Sequence, residues 1–140
     1  QNQVVIIKPS LYDLFVSNVC RFEFNSQTYF VPMWHSEVVF DLDNKRELII
    51  KCIPEIDDHL SIDSDNNLHI YLKTSITTIL QNKKIEFKIL NDTLTIPSFK
   101  LNIIKNQIYV LERKGISKIN DLDIYDDSEK ADIIVHVELY

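Results

Sequence analysis

Four histidines, two cysteines and a scatter of carboxylates are the side chains of this 140-residue sequence that could do chemistry, and their spacing argues against catalysis. His35, His59, His69 and His136 are dispersed, with neither the His-Glu-x-x-His spacing of a helical zinc site nor the Gly-x-Ser-x-Gly turn of a serine nucleophile. Gly115 is the one glycine, and a phosphate-cradling or dinucleotide loop needs several. Asp57-Asp58 and Asp126-Asp127 fall in turn-like stretches without the calcium-loop spacing or its central glycine, so they read as solvated loops. Cys20 and Cys52 lie far apart, with no Cys-x-x-Cys and no Cys/His pair at ligand spacing. Each sits in an apolar, strand-like stretch and reads as a reduced, buried thiol, which points to the cytoplasm. Trp34-His35, after Pro32-Met33, is the most unusual tetrad, and Trp34 reads as a core or strand-end anchor. No enzyme, metal or cofactor is expected.

The bulk composition agrees. At 45% hydrophobic and 26% charged residues, with net charge −6, the chain can bury a core and is not a disordered acidic tail. A sequence pI near 5.1 without a dense basic stripe argues against nucleic-acid binding. No apolar run approaches the roughly 18 residues a membrane-spanning helix needs, and no signal-peptide pattern is present.

The elements that would position these residues are mostly strands. Arg21-Phe22-Glu23-Phe24 and Lys84-Ile85-Glu86-Phe87-Lys88-Ile89 alternate polar and apolar, the signature of half-buried strands. Further strands are expected at 4–7, 28–31, 37–42, 47–53, 68–72, 93–96, 107–111 and 132–139. Asn- and Asp-rich turns separate them, at Asn25-Ser26, Asp43-Asn44, 63–67, Asn91-Asp92 and 126–128. Two segments break the period. Ser10 and Ser75 each precede apolar residues at offsets 1, 4 and 5, the pattern of a serine-capped short helix. Strand, short helix and several strands therefore occur twice, as in a weak internal duplication, with a boundary in the turn at 63–67. The expected fold is mainly β: two tandem β-sandwich-like lobes, each with a short helix, covering residues 1–64 and 65–140.

Several motifs in order resemble the C-terminal client-binding lobes of J-domain co-chaperones, the Hsp40/DnaJ family. Pro9-Ser-Leu-Tyr-Asp-Leu-Phe-Val16, running into Arg21-Phe-Glu-Phe24, is similar to the opening of that family's first lobe. His59-Leu-Ser-Ile62 and Asp65-Asn-Asn-Leu68 resemble its passage into the second lobe, and Ser75-Ile-Thr-Thr-Ile-Leu80 stands where that lobe has its helix. Leu90-Asn-Asp-Thr-Leu-Thr-Ile-Pro97, Arg113-Lys-Gly-Ile116 and Ala131-Asp-Ile-Ile-Val135 resemble its later hairpin, loop and closing strand, while residues 31–51 match weakly. The His-Pro-Asp motif of the J domain is absent, and without Cys-x-x-Cys-x-Gly-x-Gly repeats the likeness is to the zinc-free type.

The resemblance implies a co-chaperone module without enzymatic activity. Its partners would be unfolded client polypeptides and the Hsp70 C-terminal tail, with no nucleic acid and no membrane. In relatives a helical tail mediates homodimerisation, and it would follow Tyr140 here. By position, the resemblance places a shallow apolar groove at Val5 and Ile7 on the first strand and Phe22 and Phe24 on the next, with Ile62 nearby. The residues alone leave two possibilities open. These side chains could be ordinary core between packed sheets, or a strip beside an unpaired strand edge on which an extended peptide adds a strand. The alternative function is a β-rich structural or assembly protein whose apolar edge is a permanent subunit interface.

Overall fold

The computed structural model describes residues 2–140; residue 1, the start of the expected first lobe, lies outside them. The protein is mainly β and sandwich-like, with two short helices. Its order is β1 (Gln3–Ile7), α1 (Leu11–Phe15), β2 (Val19–Phe24), β3 (Gln27–Pro32), β4 (Glu37–Asp41), β5 (Glu47–Cys52), β6 (Leu60–Ile62), β7 (Leu68–Thr74), α2 (Ile76–Gln81), β8 (Lys84–Ile89), β9 (Asp92–Pro97), β10 (Asn106–Leu111) and β11 (Ile133–Leu139).

One pairing scheme is used twice. In the first half β1 runs parallel to β5, β4 pairs antiparallel with β5, and β2–β3 is a separate hairpin. In the second half β7 runs parallel to β11, β10 pairs antiparallel with β11, and β8–β9 is the separate hairpin. The second sheet carries one extra strand. β6 pairs antiparallel with β7, placing Leu60 opposite Ile70 and Ile62 opposite Leu68. Residues 60–62, on the first-lobe side of the expected 64/65 boundary, thus belong by pairing to the second sheet.

Alternation decides which side chains enter each core. In the first lobe Val5, Ile7, Leu48, Ile50, Val38 and Phe40 face the inward residues of the β2–β3 hairpin. In the second lobe Leu68, Ile70, Ile133, Val135 and Val137 pack against Ile85, Ile89 and Ile96 of the β8–β9 hairpin. The helices start where serine caps them. Ser10 Oγ accepts from the Asp13 N–H while the Asp13 carboxylate accepts from the Ser10 N–H, a closed capping box; Ser75 Oγ accepts from the Thr78 N–H. Bonds from Asn18 and then Ser10 hold the Asp13 carboxyl below its ordinary pKa.

With almost no glycine, the tight turns use other residues in the left-handed region. Asn25 and Ser26 both have positive φ between the paired residues Phe24 and Gln27. The second hairpin turns at Leu90-Asn91, one residue earlier than expected, because Ile89 pairs with Asp92. Leu90 holds φ 55° there, where a β-carbon costs about 1–2 kcal/mol. Leu90→Gly should therefore stabilise the fold by about 0.5–1 kcal/mol after the added freedom of the unfolded chain is subtracted. A lower urea midpoint for that variant would refute the strain. Gly115 is needed for closeness, not for φ: a β-carbon would lie 2.9 Å from the Asp132 carbonyl oxygen and 3.0 Å from that of Ala131.

The lobes share a third cluster, in which Leu14 of α1, Trp34 and Ile116 are buried together. Asn66 ties this junction. Its buried Nδ2 donates to the carbonyls of Trp34, at 2.7 Å, and Ser117, at 2.9 Å. Nearby, Lys130 Nζ donates to Ser17 Oγ and Ser117 Oγ, and those two hydroxyls bond each other at 2.7 Å. The long connection 112–132 also returns to the first lobe, where Tyr125 Oη donates to the Phe30 carbonyl and Ile124 joins the first core.

Candidate functional site

Of the five residues expected to form a groove, the structure brings four together. Val5 and Ile7 on β1 and Phe22 and Phe24 on β2 pack against the same core cluster, and the Phe22 and Phe24 rings stack with centroids 6.3 Å apart. The fifth does not join them. Ile62 lies on β6 and packs against the second-lobe core and the junction cluster, because its pairing with Leu68 draws it into the other sheet.

The four are half-buried. They are neither the sealed core nor the open face of their strands. The opposite side of β1 carries the exposed residues, with Val4 and Ile6 each 56% accessible and Val39 of β4 similarly open. Both faces of β1 are apolar, as its sequence requires, yet the outer face is uncovered. β1 ends its sheet and β2 belongs to a two-stranded one, so each has an edge without a partner strand among the described residues.

The second lobe supplies an internal comparison. There Ile70 on β7 and Ile85 and Ile89 on β8 are buried, while Leu72 and Phe87, the latter at the hairpin position that Phe22 holds in the first lobe, are half-buried. The edge of β7 is covered by β6, whose Leu60 and Ile62 pack into the core beneath. Nothing in the first lobe plays the part of β6 among the described residues. The difference between the lobes is thus a strand present on one and lacking on the other.

Other side chains meet in ways the linear spacing did not reveal. His69, Asp63 and His136 form a hydrogen-bonded chain on the outer face of the second sheet. The signal was absent from the sequence because His69 and His136 become neighbours only through the parallel β7–β11 pairing. Cys20 and Cys52 are both free, and burial, followed by the nearby Cys20, pushes the Cys52 thiol up to about 11, so it is inert as a nucleophile at neutral pH. Among the described residues no three or more His, Cys, Asp or Glu side chains are disposed to share one metal ion.

His35 sits at the lobe junction with its Nε2 2.9 Å from the Ile124 carbonyl oxygen and its ring 5.7 Å from that of Trp34. Burial lowers its pKa, partly offset by that carbonyl and by Asp121. A histidine whose pKa falls on folding takes up protons more readily when unfolded, so acidification below its unfolded value of about 6.5 favours unfolding. The urea midpoint should accordingly fall between pH 7.5 and 5.5, and the fall should be smaller in His35→Gln. An equal pH dependence in wild type and variant would remove His35 as its source.

The fold and site together define a class: a mainly β scaffold that uses one pairing scheme twice, with the edge of β7 covered by β6 in one lobe and the corresponding edge of β1 open beside an apolar strip in the other. No protein-family model matches the chain. No curated protein matches it in sequence either. No helix among the described residues is long and apolar enough to cross a membrane.

Proposed function

We propose that the protein is a polypeptide-binding module of the zinc-free J-domain co-chaperone type, acting without catalysis in the cytoplasm on unfolded client segments and on the Hsp70 C-terminal tail. The observation that carries this reading is the contrast between the lobes: β6 covers the edge of β7, while the equivalent edge of β1 stays free beside four half-buried apolar side chains. An extended segment adding there would gain backbone hydrogen bonds from the edge and would insert alternate side chains over the strip. One or two Leu-sized side chains contribute about 1.5–3 kcal/mol each. Ordering a flexible peptide offsets much of that, so affinities should be micromolar or weaker, about −8 kcal/mol at most.

Fluorescence polarisation with an extended apolar peptide and with an acidic Hsp70-tail peptide tests the reading directly. Saturable binding at micromolar concentration supports it, and a folded protein that binds neither peptide refutes it. The exposed outer face at Val4, Ile6 and Val39 favours a second reading, a structural protein that buries this face permanently against another subunit. A stable oligomer at low micromolar concentration in sedimentation velocity would select that reading.

A further inference from the structure

The geometry points to a surface site for a borderline divalent metal ion, of the zinc, nickel or copper(II) class, between His69 Nδ1 and His136 Nε2 on the outer face of the second sheet. The two nitrogens face each other at 2.8 Å, and the rings meet edge to edge, inclined at 24° with centroids 5.1 Å apart. His69 Nε2 lies 2.8 Å from Asp63 Oδ2. A carboxylate can only accept, so in the neutral ring Nε2 carries the hydrogen and Nδ1 keeps its lone pair, directed at His136. The His69–His136 contact thus places one hydrogen between two potential ligand nitrogens.

A metal ion can take that hydrogen's place. Two imidazole nitrogens on a tetrahedral ion with bonds of about 2.0–2.1 Å lie about 3.3 Å apart. The observed pair must open by about 0.5 Å from its 2.8 Å separation, and each lone pair must turn about 35° off the line between the nitrogens, which side-chain rotations of both exposed-face rings supply. The displaced hydrogen moves, through solvent, from His136 Nε2 to His136 Nδ1, so no net proton is lost. Asp63 supplies the outer-shell carboxylate that metal-bound histidines commonly use, fixing the tautomer and raising ligand basicity. Tyr71 stacks on the His136 ring, with centroids 4.5 Å apart, and steadies it. With two protein ligands the remaining positions fall to water, so affinity is modest and the ligand types suit imidazole-seeking metals over calcium or magnesium.

Titration of the whole chain with nickel chloride at pH 7.5, followed calorimetrically, should give one-to-one binding in the micromolar range. His136→Ala and His69→Ala should each weaken it at least tenfold. Asp63→Asn, which keeps both ligands, should weaken it about tenfold. His59→Ala should leave it unchanged. Because a substitution at His69 could disturb the sheet, paramagnetic broadening of histidine ring resonances in the unaltered chain serves as a second measurement. Broadening confined to His69 and His136 supports the site. Failure to saturate below about 1 mM, binding that survives His136→Ala, or broadening centred on His35 or His59 would overturn it.

Discussion

Phe22→Asp should abolish peptide binding while leaving the protein folded. Phe22 is half-buried on the strip and stacks on Phe24, so its replacement removes an apolar contact for the ligand and sets a carboxylate beside the site. Losing one large apolar contact removes about 1.5–3 kcal/mol. Desolvating the new charge beneath a bound segment adds to the loss. Even the lower figure corresponds to more than tenfold in affinity, and the two together to a binding curve that no longer saturates at accessible concentrations. Two controls isolate the strip. Phe87, the half-buried aromatic at the corresponding position of β8 in the second lobe, packs on the second core, so Phe87→Leu should leave affinity within a factor of two. Ile62→Ala should likewise leave affinity near wild type, since Ile62 belongs to the junction and the second core. If Phe22→Asp keeps its circular dichroism spectrum and its affinity, the ligand binds elsewhere; if Ile62→Ala is the more damaging change, the site lies at the lobe junction.

Asn66→Ala should be the most destabilising of the substitutions considered. The Asn66 side chain is buried and is the common donor to the Trp34 carbonyl of the first lobe and the Ser117 carbonyl in the connection following β10. Removing it strands two buried acceptors at about 1–3 kcal/mol each. Asn66 also holds φ 63°, a conformation that asparagine tolerates and alanine resists. A loss of about 3–5 kcal/mol is expected, a large share of the roughly 5–15 kcal/mol available to a typical domain, lowering Tm by roughly 10 °C. Asn66→Gly separates the causes, because it removes both hydrogen bonds and keeps the backbone conformation accessible. It should recover about 1 kcal/mol relative to alanine. Equal stability of wild type and Asn66→Ala by urea denaturation would show that the junction does not depend on this side chain.

These two residues differ in how visible they were beforehand. Phe22 announces itself through the alternation of Arg21-Phe22-Glu23-Phe24, a pattern local to one strand. Asn66 sits in a run of polar turn residues, 63–67, where nothing in the sequence sets it apart from Asn67. Its importance comes from partners 32 and 51 positions away.

By itself the sequence determined what depends on near neighbours. Period-two stretches became strands with Val5, Ile7, Phe22 and Phe24 turned toward one core, because successive strand side chains point to opposite faces. Ser10 and Ser75 started the helices, because a serine oxygen satisfies an N–H that the first turn leaves free. Only the tertiary structure decided what depends on pairing between distant segments. The assignment of Ile62 to the second lobe, the meeting of His69 with His136, and the hold of Asn66 on both lobes all follow from strand register and chain return. The degree of burial belongs to the same group. Val5 and Ile70 occupy corresponding positions on the strands that run parallel to β5 and β11, yet Ile70 is buried and Val5 half-open: β6 pairs beside Ile70, and no described strand pairs on that side of β1.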